Sequence, residues 1–182
     1  MGKQNFLNNS DFNKLQEGFQ KYDELFLGKI VTYQYIKNNC NNHISIVFRK
    51  QNFKHLSGCC LKNNQSANSF YNKLKENRVK REDIYYQSDF AKAKLQILPC
   101  LDLLLTPNVQ VIESNHSINL QFDNMVKSNR QIIGLAYISD SGTYSKPVSL
   151  LNMRINSPIK NSKLIKYSVI DIQVKSINDL KK

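Results

Sequence analysis

The sequence predicts an α+β protein, with N-terminal and central helices packed on a meandering antiparallel β-sheet. Three observations lead there. Near the amino terminus, apolar residues recur at spacings of three and four, the mark of an amphipathic helix. From residue 109 onward, short runs of β-branched and aromatic residues alternate with Asn, Ser, Gly and Pro turns, as successive strands do. No internal repeat or low-complexity linker divides the 182 residues, a length that can bury one sizeable core. The expected organisation is an N-terminal helical segment over 1–27, a single α+β domain over 28–175 and a polar, frayed tail.

Each element follows from local chemistry. Asn9, Ser10 and Asp11 offer capping oxygens to a helix whose stripe is Phe12, Leu15, Phe19, Tyr22 and Phe26. That helix runs from about Asp11 to Leu27, and Gly28 ends it. Lys29–Lys37, rich in β-branched and aromatic residues, is a strand. A polar turn over 38–42 joins it to a second strand, His43–Arg49, in a hairpin. Ile44, Ile46 and Phe48 alternate there with Ser45, Val47 and Arg49.

The second strand delivers a basic turn, Arg49-Lys50-Gln51-Asn52-Phe53-Lys54-His55, closed by Ser57 and Gly58. Ser66 caps a helix that ends near Arg78. Ser88 and Asp89 start another through Ala91, Leu95 and Leu98, which Pro99 should kink or split. Strands are expected at Val109–Glu113, Ser117–Asp123, Gln131–Ser139, Pro147–Met153 and Lys166–Val174, with a frayed tail from Lys175.

The charge narrows the partners. Twenty-six Lys and Arg against 14 Asp and Glu give a formal charge of +12, which favours a polyanion such as nucleic acid. The most apolar run, Leu95–Leu105, is interrupted by Pro99 and Asp102 and is too short to span a bilayer. The amino terminus lacks an apolar signal region. Cys40, Cys59, Cys60 and Cys100 are then expected as reduced thiols of a cytoplasmic protein.

Two stretches carry candidate chemistry. His55 can trade a proton near neutral pH and sits among cations. The hydroxyl-rich stretch Ser139–Ser149 contains Tyr144 and Lys146. Metal-free RNA cleavage needs a base for the 2′-hydroxyl, cations or donors for the phosphorane, and an acid for the 5′-oxygen. His55 can be base or acid. Arg49, Lys54 and Lys146 can hold phosphate, and Tyr144, Ser139 and Ser149 can donate hydrogen bonds. With Lys50, the residues Arg49, Lys54 and Ser139 make the expected nucleic-acid-binding set.

Cys40-x-x-His43 and His55-x-x-x-Cys59 have zinc-compatible local spacings, but the strand between them and their mixed types favour buried thiols and satisfied histidines. Asp171, Gln173 and Lys175 share a strand face, yet the sequence places no partner carboxylate. No metal or cofactor is expected. Phosphate-cradling glycine loops and nucleophile-elbow serines are absent from the sequence, which sets aside nucleotide-driven motors and serine hydrolases.

The run Phe48-Arg49-Lys50-Gln51-Asn52-Phe53-Lys54-His55-Leu56-Ser57-Gly58 resembles an F-K-x-x-N-F-x-H-L-x-G signature. Ala67-Asn68-Ser69-Phe70-Tyr71 resembles the A-x-x-F-Y helix that follows it. Asp123, Ile133-Gly134-Leu135 and Pro147-Val148-Ser149-Leu150-Leu151 resemble its ending. Over about residues 28–175 the chain is similar to phage- and mobile-element-borne nucleases of the barnase–EndoU–colicin–RelE (BECR) group. The resemblance implies a BECR, barnase-like fold and a metal-independent endoribonuclease with a toxin-like or conflict role. It carries a site role onto His55, and extends it to Lys146 and Ser149. It also implies RNA as partner, tRNA included, and a cognate antitoxin or immunity protein. The competing reading is a non-catalytic inhibitor, encoded by a phage or mobile element, that binds nucleic acid or protein.

Overall fold

A hairpin with two left-handed asparagines sets the architecture. Helix α1 (Asn9–Leu25) leads to Gly28, whose φ of +69° suits a residue without a side chain. Strand β1 (Lys29–Lys37) turns at Asn38 and Asn39, with φ of 51° and 60°, into β2 (Cys40–Val47). Two consecutive left-handed residues make the tight turn whose twist matches paired strands, and Asn tolerates that conformation. The hairpin therefore closes over two residues rather than the five expected, and β2 begins at Cys40.

The chain is described here in a computed structural model that covers residues 5–113, 124–128, 132–139, 143–154 and 165–181. The expected strand Ser117–Asp123, the start of the strand expected at Gln131, and Asp140, Ser141 and Gly142 lie outside these residues. In order after β2 come α2 (Asn52–Ser57), β3 (Cys59–Leu61), α3 (Ala67–Lys75), β4 (Ile84–Tyr86) and α4 (Ala91–Ile97). A 3₁₀ segment, Leu98–Leu105, follows directly, so Pro99 divides two short helices, as its missing N–H requires. Strands β5 (Gln110–Glu113), β6 (Asn124–Lys127), β7 (Ile133–Ser139), β8 (Ser145–Asn152) and β9 (Ile165–Ser176) complete the sheet.

The mixture of helices and sheet fits the expected α+β class, but the sheet is no open meander. Its order is β1-β2-β8-β7-β6-β5-β9, with β9 returning to β1 to close a seven-stranded barrel. Two features bring about the closure. Strand β9 runs for 12 residues, long enough to pair β5 through its first part and β1 through its second. At the other seam, β2 meets β8 in parallel through Ile46 and Ser145, although every other pair in the barrel is antiparallel. Strand β9 also continues past Val174 to Ser176, and Ile177 N donates to Gly28 O at 2.9 Å.

One core runs through helices and barrel alike. Leu15, Phe19 and Tyr22 of α1, and Phe26 just after it, are buried in the same cluster as Val31 and Tyr33 of β1 and Leu135 and Leu150 of the sheet. Phe53 stands at its aromatic centre, 5.3 Å from Phe19, 5.2 Å from Tyr22 and 6.2 Å from Phe70 between ring centroids. Helix α1 lies so close to the 3₁₀ segment that a Cβ on Gly18 would sit 2.3 Å from Leu98 Cγ. Among the described residues, no helix is long and apolar enough to cross a membrane.

Candidate functional site

The basic stretch after β2 is a helix, not the turn its polar residues suggest. Phe53 and Leu56, three residues apart, are both fully buried, and Gly58 ends α2 in the left-handed region at φ +68°. Burial of that apolar pair overrides the local turn preference of Asn and Gln. Asn52 anchors the start: its Oδ1 accepts from Arg49 N at 2.8 Å, and its Nδ2 donates to Pro147 O of β8 at 3.4 Å. Tyr22 Oη donates to Arg49 O at 2.8 Å, which fixes the loop to α1.

This scaffold presents a row of cations. Arg49 and Lys50 are exposed on the loop, and Lys50 Nζ donates to Asn72 Oδ1 at 3.1 Å, 5.7 Å from the Tyr71 ring centre. Lys54 is half-buried and donates to Gln65 O at 3.0 Å. His55 is exposed. Its nearest electrostatic companions are Lys54 and Lys94, the latter donating from α4 to His55 O at 2.9 Å. Partial burial first, then the fields of Lys54 and Lys94, holds the imidazole below its ordinary pKa. Burial likewise lowers the half-buried Lys94 ammonium.

Near pH 7 the arrangement therefore offers a neutral imidazole, a potential proton acceptor, beside two ammonium groups. Lys94 was absent from the sequence-derived set, because 39 residues separate it from His55 and no local motif marks it. Removal of this cation tests the electrostatics directly. In Lys94→Met the His55 pKa should rise toward the ordinary imidazole value of about 6.5, read by NMR titration of the ring protons. An unchanged titration would contradict the assigned field.

The hydroxyl-rich hairpin is placed differently. Leu150 enters the core shared with the helices, and Asn152 Nδ2 donates to Ala93 O of α4 at 3.2 Å. Strand alternation therefore turns Ser149 away from the helices, together with Leu151, which packs on Ile112, Met125 and Met153. A register shift lies between Ala136 and Tyr137; beyond it Lys146 pairs with Ile138, on the face opposite the buried Tyr137. Ser139 is exposed at the end of β7, opposite Ser145, and Tyr144 is half-buried just before β8. The structure thus gives His55 the charged neighbours Lys54 and Lys94, with Arg49 and Lys50 on the loop before α2, and sets Ser149 and Lys146 on the face of β8 turned from the helices.

The metal-ligand readings find no common site. Cys40 and His43 are exposed on β2, whereas Cys59 is buried on β3 with its thiol pushed up by burial. Asp171 accepts from Gln173 Nε2 at 2.9 Å on the exposed face of β9. Among the described residues no three His, Cys, Asp or Glu side chains converge on a metal-sized site.

Helices packed on a closed barrel, in a chain of formal charge +12, with an exposed histidine on α2 beside lysines, suit a protein that acts on a polyanion. Comparison with protein families agrees. Residues 14–182 match the family described as phage-Barnase-EndoU-ColicinE5/D-RelE like nuclease4, and the chain belongs to that family. Its class is accordingly that of a phage-related nuclease, with nucleic acid as substrate. Neither the curated proteins nor the solved structures contain a match to it.

Proposed function

We propose that the protein is a small basic endoribonuclease that cleaves RNA without a metal ion, in a toxin-like or inter-element conflict role. The observation that carries this reading is His55, an exposed imidazole with Lys54 and Lys94 as its charged neighbours, on a helix anchored to both core and barrel. RNA supplies its own nucleophile, so the protein needs only acid–base groups and positive charge.

His55 takes the proton from the 2′-hydroxyl as that oxygen attacks the adjacent phosphorus. Arg49, Lys50 and Lys54 grip the phosphate and offset the charge that builds on the phosphorane. The P–O5′ bond breaks, and the leaving oxygen takes a proton from Lys94, whose lowered pKa makes its ammonium a better acid. The products are a 2′,3′-cyclic phosphate and a 5′-hydroxyl. This scheme does not draw on Ser149 or Lys146.

The test is incubation with total RNA, tRNA and single- and double-stranded DNA in EDTA and in Mg²⁺, with end-mapping of any products. RNA cut in EDTA to cyclic-phosphate ends supports the proposal. RNA left intact in EDTA and cut only with Mg²⁺ overturns its metal-free part.

A further inference from the structure

We infer that Phe90 is a stacking platform for an unpaired RNA base next to the cationic site, so that the preferred substrate is single-stranded. The inference rests on the RNA reading above and adds the class of RNA. At 76% exposure, Phe90 is the most exposed large apolar side chain among the described residues. A solitary exposed aromatic is by itself unremarkable; its position is not.

Phe90 immediately precedes α4, and its carbonyl accepts from Lys94 N at 3.1 Å. Phe90 and Lys94 are therefore one helical turn apart, about 5.4 Å along the axis and on the same face. Lys94 in turn reaches His55 O. The start of α4 is fixed against the end of α2: Gln87 N donates to Gly58 O at 2.9 Å, and a Cβ on Gly58 would lie 3.1 Å from Ala91. The ring thus stands on a rigid base beside the residues proposed to handle the phosphate.

Neighbouring aromatics are already occupied. Lys62 Nζ lies 5.0 Å over the Phe6 ring, and Lys92 Nζ lies 5.3 Å over Tyr86. No ring or ammonium of the described residues covers Phe90. Lys94 shares its helix face, and Asp89 precedes it on the chain. An exposed aromatic face one helical turn from the Lys94 ammonium matches a nucleotide, whose base stacks while its phosphate pairs with a cation. A duplex keeps its bases stacked on each other and cannot use the ring.

The chain has no Trp, so Phe90→Trp introduces a unique fluorophore. The experiment places this change in a His55→Ala background and titrates a short single-stranded RNA against the same sequence as duplex. Saturable quenching by the single strand and not by the duplex is expected. Phe90→Ala in the same background should weaken single-strand binding by roughly tenfold and leave duplex binding unchanged. An indole that stays unquenched while filter binding registers the complex overturns the inference, as does a single-strand affinity of Phe90→Ala equal to that of the protein with Phe90 in place. The cleavage reading is judged separately, with His55 in place. Quenching combined with uncut RNA in EDTA would sink catalysis and leave the stacking role standing.

Discussion

His55→Ala is expected to lower RNA cleavage in EDTA by about 10²–10⁴-fold, the usual contribution of a positioned acid–base group, with little change in RNA affinity. Affinity should persist because Arg49, Lys50, Lys54 and Lys94 remain. Folding should persist because the imidazole is exposed, while the α2 groups that enter the core are Phe53, Leu56 and Ser57. The pH profile supplies an independent check. Neutral imidazole is the active form, and burial with the two lysines depresses its pKa. The acid limb of kcat/KM should accordingly fall below about pH 6.5. A variant that cleaves at the wild-type rate would remove His55 from the mechanism.

Local chemistry made parts of this molecule readable in the sequence, and long-range pairing hid the rest. Strand β1 occupies the expected Lys29–Lys37, and Ser66 caps α3 by accepting from Ser69 N at 3.2 Å. Each depends on residues within a few positions of one another. Helix α2 was misread as a turn because six residues carry too little periodicity; what folds them is burial of Phe53 and Leu56 against segments distant in sequence. Barrel closure was also hidden, since nothing local in Ile46 or Ser145 announces a parallel partner.

The site divides along the same line. His55 and its sequence neighbours could be named because a titratable ring amid cations is a local pattern. Lys94 and Phe90 could not, since α4 reaches α2 only through the fold. Ser149 and Lys146 show the converse: the motif near the chain end was visible, but the strand face each residue takes depends on pairing and on a register shift in β7–β8.

The core and the site are joined at Phe53, and Phe53→Ala should therefore affect both. Its ring is fully buried among Phe19, Tyr22, Phe70 and Tyr71. Truncation removes that contact and leaves a cavity, at a cost of about 3–5 kcal/mol. Natural domains have only about 5–15 kcal/mol in hand, so the denaturation midpoint should fall sharply. Function should fall further than the unfolded fraction alone accounts for. A helix of six residues has no stability of its own, and α2 holds its shape through Phe53 and Leu56. Loosening it moves His55 relative to Lys94 on α4, and a small misplacement of reacting groups costs rate steeply. Phe53→Leu, which keeps most of the volume, should recover much of both losses. Denaturant titration and cleavage assays on the two variants decide the matter: activity of Phe53→Ala that falls only in step with its unfolded fraction would separate the site from the core it is argued to depend on.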